Sequence, residues 1–449
     1  MQKSMDTVLQ AVETCKDTIL AAERHIWHNP ETGYREWKTH TYLKQQFETL
    51  GYTVTEAGNI PGFWTDVDTG RPGPRIAVFG EMDSLLIPSH PECDPETGAV
   101  HACGHHCQCA ALLGVAAGLK AKGALDGLCG SIRLIAVPAE ELIELGYRKQ
   151  LKEQGIIRYF GGKQEFMYRG VLDGVDMSFM VHTSGGSSFS CNAGSNGCII
   201  KEAVFTGKSA HAGGAPHAGI NALYAANCAM QAANALRETF QEKDRIRFHP
   251  IITQGGGAVN AIPDHVVTEA YLRGATMAAI ARENKKVNRA FAGAAAAMGC
   301  RVQLWDHHGY APRQYDSTLK ELCRQAGEAA LGADRILFSQ VWSTGCSDMG
   351  DVSCVMPALH PTMGGSVGTM HGNDYFIADP VSACVDSAKV QCAILIHLLG
   401  NDAAGAKDVL ANCRQDYPTI PEYLASIDAL CIDKQAVTYH EDGSVVLDF

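Results

Sequence analysis

The apolar positions of the chain change their period twice. Over residues 4–27, and again from about Glu36 to Leu50, they recur at helical spacing and predict two amphipathic helices. His28-Asn29-Pro30 stops the first and Gly51 ends the second. Short continuous apolar runs then take over. Arg75-Ile76-Ala77-Val78-Phe79-Gly80 leads into Glu81-Met82-Asp83, Ser131–Val137 into Pro138-Ala139-Glu140-Glu141, and Met177–Val181 into His182. Such runs, separated by helical segments, are expected to be buried parallel strands of an α/β sheet. Open α/β sheets bind their ligands just past the C-terminal strand ends, where carboxylates and a histidine fall here.

The texture changes again near residue 195. A strand-like run, Cys198–Phe205, precedes an alanine-rich helix over Ala218–Phe240. Strand candidates at Phe248–Thr253 and Val266–Arg273 follow, then a second alanine-rich helix over about Ala281–Met298. This β-α-β-β-α order predicts a two-layer α+β insert with an antiparallel sheet. The expected fold is therefore α/β, a mostly parallel central sheet flanked by helices with an inserted α+β domain. The boundaries are set at 1–194 and 305–400 for the interrupted domain and 195–304 for the insert. Helices are expected near Ser317–Ala330 and over 382–399. Residues 401–449 are set apart as an acidic extension with a helix and a hairpin.

Composition narrows the class. Among 449 residues, 46% are apolar and 19% charged, a globular balance of a length that suits two domains. The formal charge of -12 provides no basic footprint for nucleic acid or an anionic membrane. No apolar run reaches the ~20 residues that span a bilayer, and the N-terminal segment lacks the apolar core of a signal peptide. Seventeen cysteines in so long and apolar a chain are expected to be small core residues in a reducing, cytoplasmic setting.

The densest chemistry lies at HACGHHCQC, His101–Cys109. On a loop, Cys103 and His105 can converge on one ion, and thiolate plus imidazole suit zinc, manganese, cobalt or nickel. By itself this pair is a weak signal, and a loop cysteine with a capping histidine is the commoner meaning of such spacing. No second Cys/His pair stands at zinc-finger spacing, and no C-x-x-C motif supports a thioredoxin-like site. Glu140 and Glu141 can divide two tasks, one binding metal while the other takes a proton from the attacking water. His182 and His371, in GTMHGND, would complete such a centre.

Several spaced motifs carry a resemblance. HNPETGYRE, GEMDSL, HACGHHCQCAALLGVA, VPAEE, FTGKSAHAGGAPHAGINAL, GGGAVNAIPD, STGCSDMGDVS and PALHP resemble, in order, the M20 family of metallopeptidases and amidohydrolases. The likeness is greatest to the branch that cleaves N-acyl, aminoacyl or aminobenzoyl amino acids, and it covers about residues 15–400. It implies two divalent ions per subunit, zinc or manganese, bridged by Cys103. His105 and His182 would complete one shell, and Glu141 and His371 the other. Glu140 would be the general base and Asp83 a catalytic-site acid acting through the ligands. The insert would serve as lid and homodimer interface, with His211 stabilising the oxyanion in the partner's active site. Asn260 and Arg273 would hold the substrate carboxylate, and His360 would line the cleft.

The resemblance thus implies a hydrolase of small carboxylate-bearing amides acting by metal-activated water attack. A dipeptidase of the same fold is the alternative. A binding protein on a retired scaffold would be expected to have lost a ligand or the base, and all are present. The chain also departs from the pattern. His106 stands where the family usually has Asp or Asn, Glu81 replaces the usual first Asp, and the 142–181 interval is long and contains YFGGKQEFMYRG.

Overall fold

The computed structural model describes residues 2–449; Met1 lies outside the described residues. The chain divides into two compact units. One runs to Gly194 and resumes over Gln314–Trp342 and Ser347–Pro421. The other comprises Ser195–Arg313, Ser343–Cys346 and Glu422–Phe449.

The first unit is built on a six-stranded sheet. Its order is Thr55–Glu56, Phe63–Asp68, Ser131–Val137, Arg75–Glu81, Met177–Phe179 and Ala358–Leu359. The last four are mutually parallel, and the first two form an antiparallel edge. Arg75–Glu81 is buried on both faces beyond its first residue, as a continuous apolar run requires. The registers Glu81↔Val137 and Val78↔Phe179 bring the polar residues after three strands to one edge of the sheet.

The third run breaks earlier than its pattern suggests. Its strand ends at Phe179, and His182 opens a new strand, His182–Gly185, which pairs with Thr362–Val367 in a second sheet. The chain changes sheets at the site, so one apolar run becomes two elements. The helix expected over 4–27 is likewise two helices, Gln2–Thr14 and Lys16–Trp27, separated at Cys15.

Helix His105–Lys120 is buried along nearly its whole length, which its all-round apolar sequence demands. Gly104 precedes it with φ 94°, and a Cβ there would meet the Tyr375 hydroxyl at 2.6 Å. Only glycine can therefore stand between Cys103 and His105. Val381–Asn412 is long and apolar enough to cross a bilayer by length and composition alone, but most of it is buried in the core. Gly400–Ala403 interrupt its helical geometry.

The second unit is an antiparallel five-stranded sheet ordered Arg247–Gln254, His265–Gly274, Gly197–Thr206, Arg301–Tyr310 and Ile432–Gln435. Helices Ala222–Ala235 and Met277–Ala297 pack on it, their buried alanines allowing close approach. Two expected boundaries need correction. Residue 304 falls inside Arg301–Tyr310, a strand paired along its length with Gly197–Thr206. Residues 401–449 are also no single extension, because those from Glu422 belong to the second unit. Helix Ile420–Asp428 and the hairpin Val437–Tyr439/Val445–Leu447 are the expected helix and hairpin.

Candidate active site

Cys103 stands at the centre of the strand-end cluster. Its donor atom and those of His105 and His182 lie within 4.8 Å of one another, and so do those of Cys103, Glu141 and His371. The Cys103 Sγ–His182 Nε2 distance is 3.4 Å, and His371 Nε2 lies 3.3 Å from Glu141 Oε1. One thiol is thus shared by two groups of donors.

The surroundings orient these donors. His105 Nδ1 lies 3.0 Å from the Asp83 carbonyl and 3.1 Å from Asp83 Oδ1, which leaves Nε2 for a ligand. His182 Nδ1 lies 2.7 Å from the Thr183 carbonyl, with the same result. The other oxygen of Asp83 accepts the Glu141 backbone N–H at 2.7 Å, so one carboxylate sets both a histidine and the Glu140-Glu141 backbone. Glu36 Oε1 accepts the Ala139 N–H at 2.8 Å, and Arg148 donates to the Glu141 carbonyl. Ala139 (φ 58°), held by the Glu36 bond, and His371 (φ 64°), whose N–H donates to the Ala102 carbonyl at 3.0 Å, both adopt left-handed backbone.

The electrostatics fit cations. Burial, reinforced by the Glu141 charge, pushes the Cys103 thiol well above its ordinary value, so a thiolate here requires a positive partner. Burial, then the His105 charge, brings His182 down to about 4, a neutral imidazole suited to coordination. Burial raises Glu141, but the hydrogen bond and charge of His371, together with the His105 charge and the Cys103 hydrogen bond, outweigh it and hold the carboxylate at about 2. Burial, and behind it the Glu81 and Glu141 charges, pushes Glu140 well above the carboxylate range. His105 Nε2 and Glu141 Oε1 are buried, with Glu81 Oε2 at 3.2 Å from the first and His371 Nε2 at 3.3 Å from the second, so potential metal donors crowd together away from water. Two divalent ions would satisfy these atoms, and the thiolate, imidazole and carboxylate donors suit zinc or manganese.

Glu140 Oε2 lies 4.0 Å from His105 Nε2, beside one donor group. His360 is buried with its ring 5.5 Å from that of His182. Asn260, His211 and Arg273 belong to the second unit. There His211 and Asn260 are neighbours: Ala212 N–H donates to the Asn260 carbonyl at 2.9 Å, and His211 bridges to Ala261. His211 Nδ1 accepts the Gly214 N–H at 2.9 Å and remains exposed. Arg273 lies on the strand His265–Gly274, with its guanidinium 5.6 Å from the Tyr271 ring centre.

A further layer around the site has no signal in the sequence pattern. Lys163, from the long interval and fully buried, donates at 2.5 Å to both Glu81 Oε1 and Asp348 Oδ1. Glu81 Oε2 in turn lies 3.2 Å from His105 Nε2. Burial opposes the charge on Glu81, but Lys163 and His105 hold its carboxylate at about 2. A lysine between glycines and a polar run reads as surface, and only the tertiary fold reveals its two partners.

The model of peptidase family M20/M25/M40 matches residues 77–397, and the chain belongs to this family. The Xaa-Arg dipeptidase of Mus musculus is 29% identical over 369 residues, which is 78% of each chain. One chain of the p-aminobenzoyl-glutamate hydrolase of Escherichia coli is 27% identical over 67% of this chain and 76% of its own. A solved dinuclear metal-binding peptidase of the M20 family from Bacillus subtilis superposes with a TM-score of 0.64 at 21% identity, covering 86% of this chain and 99% of that one. The protein is accordingly a hydrolase of amide or peptide bonds.

Proposed function

We propose that the protein is a metal-dependent amidohydrolase that cleaves the amide bond of small N-acyl or N-aminobenzoyl amino acids. It would use two divalent ions, zinc or manganese. The observation that carries this reading is the sharing of Cys103 between the His105/His182 and Glu141/His371 donor groups. Bound ions supply Lewis acidity toward the carbonyl and lower the pKa of water. Glu140 accepts the proton of the attacking water and passes it to the leaving nitrogen. Asp83 keeps His105 and the Glu141 backbone in place throughout. His211 donates to the developing oxyanion. Arg273, with Asn260, binds the free carboxylate of the leaving amino acid, for which a guanidinium fork is suited. His360 lines the cleft beside His182.

The substrate class rests on relatives named for p-aminobenzoyl-glutamate hydrolysis and N-acetyl-L-cysteine deacetylation. A dipeptidase is the second reading, favoured by the Xaa-Arg dipeptidase relatives. Hydrolysis of N-acyl amino acids and dipeptides, each with a matched carboxamide, tests both. Free carboxylates are expected to be preferred. R273A should lower kcat/KM for them by roughly 10- to 10²-fold, the loss of a charged hydrogen bond worth about 1.5–3 kcal/mol. Equal kcat/KM on carboxylate and carboxamide members would remove Arg273 from this role, and a required free amine would select the dipeptidase.

We further propose a cytoplasmic homodimer that joins through the second unit. Free thiols at all seventeen cysteines support a reducing location. Strand Arg247–Gln254 forms an open edge of its sheet, with Ile251 and Ile252 exposed. Tyr224 on helix Ala222–Ala235 and Val259 add apolar surface that a second copy would cover. Mixing H211A chains with E140Q chains should restore part of the activity that each lacks. No recovery in hybrids verified as dimers would defeat the shared site.

A further inference from the structure

Among the described residues, the long interval 142–181 adds no donor to the groups around Cys103, yet it encloses the turn Ala139-Glu140-Glu141. Its first helix, Leu145–Glu153, buries Leu145, Arg148 and Leu151, one stripe at i, i+3 and i+6. An arginine in the middle of that stripe, only 1% exposed, is out of place if packing is its whole purpose. Burying a guanidinium is costly unless its donors are answered, and Arg148 Nε has no partner among the described residues. The other two nitrogens are bonded to backbone. Nη2 donates to the Glu141 carbonyl, and Nη1 donates to the Phe160 carbonyl at 2.6 Å.

We propose that Arg148 is a positioning residue for the general base, clamping the turn that carries Glu140 to the loop at Phe160. The inference rests on the reading of Glu140 as that base.

The clamp closes at two points. Two residues beyond Phe160, the Gly162 N–H donates to the Ala139 carbonyl at 3.1 Å. The approach is so near that a Cβ at Gly162 would meet the Pro138 oxygen at 1.6 Å. Gly33 makes room on the guanidinium, since a Cβ there would meet Arg148 Nη2 at 2.5 Å and Ala139 Cα at 2.9 Å. Glu36 takes the Ala139 N–H and Asp83 the Glu141 N–H, so the N–H and carbonyl of both residues flanking Glu140 are held.

The turn needs such restraint. Ala139 is in left-handed backbone (φ 58°), a conformation that an L residue leaves when its surroundings release it. Relaxation would move Glu140 from the space beside His105 Nε2, from which its Oε2 stands 4.0 Å away. Proton transfer requires hydrogen-bond reach, and a misplacement of about 1 Å can cost about 10²-fold in rate. The Glu141 carbonyl also accepts the Ile143 N–H at 2.9 Å, so loss of Arg148 loosens the turn without unmaking it.

The variants R148M and R148K, each checked for thermal unfolding and metal content, test the proposal. Folded and fully metallated R148M is expected to lower kcat roughly 10- to 10²-fold, with KM within about twofold of the wild type. R148K keeps the cation without the fork and should recover part of that loss. The decisive comparison is made in the E140Q background. Because Arg148 acts through Glu140, R148M/E140Q should turn over no more than about twofold slower than E140Q alone. A full further loss in the double variant would overturn the proposal. So would wild-type kcat in R148M, or slow turnover accounted for by lost ions. Should R148M fail to fold, R148K carries the same comparison. Near-normal turnover by E140Q itself would remove the base and the positioning role with it, whereas a further loss beside an impaired E140Q would remove Arg148 alone.

Discussion

Glu140→Gln is expected to lower kcat by about 10²-fold or more while both active-site ions are retained, the loss typical of a positioned acid–base group. The substitution keeps the shape of the side chain and removes its proton acceptor. Glu140 stands 4.0 Å from His105 Nε2, close enough to serve a water held at the centre. Neighbouring Glu141 is expected to behave differently. Its Oε1 lies 3.3 Å from His371 Nε2, so E141Q should weaken one ion rather than remove the base. Kinetics alongside metal analysis separates the two. Near-normal turnover by fully metallated E140Q would end its assignment as the base.

Removal of the active-site ions should have a larger effect. Dialysis against a chelator is expected to reduce turnover by on the order of 10³-fold, because Lewis-acid stabilisation contributes several kcal/mol and each 1.36 kcal/mol is tenfold in rate. Zinc or manganese should restore it. Cys103→Ser should lower the affinity of both ions together, since Cys103 is the donor common to both groups. Loss of only one ion in C103S, measured by equilibrium metal titration, would show that the thiol serves a single site. Activity that survives verified metal removal would refute metal dependence itself.

Those parts of the site that local pattern encodes are legible in the sequence. Buried apolar runs ending in Asp83, Glu140-Glu141 and His182 are visible because a strand buried on both faces must be apolar and its ligand-bearing end polar. The placement of Cys103, His105 and His371 comes from motif resemblance, and the structure brings them together with the strand ends. The remainder depends on long-range approach. Lys163 reads as a surface lysine until Glu81 and Asp348 are seen on either side of it. Glu23 looks like one more polar residue on an amphipathic helix, although it is buried against His106. A boundary at 304 divides Arg301–Tyr310 because the sequence pattern marks no strand there, and the partner that makes it one, Gly197–Thr206, is remote in sequence. The pattern before His182 reads as a single strand, since no local signal marks where a chain changes sheets.

Strand Ile432–Gln435 has a consequence for how the protein is made. It closes the edge of the second unit's sheet beside Arg301–Tyr310, with Gln303 opposite Gln435. Translation at about 5–20 residues per second separates these partners by on the order of ten seconds. During that interval Arg301–Tyr310 can pair with Gly197–Thr206 on one side, while the backbone groups on its other side still await their partner. An unpaired strand edge recruits whatever extended chain reaches it first. On a crowded polysome, the competitor is the same nascent segment from the adjacent ribosome. The delay between the two strands therefore sets how long this edge stays open to a neighbour's chain before its own closes it.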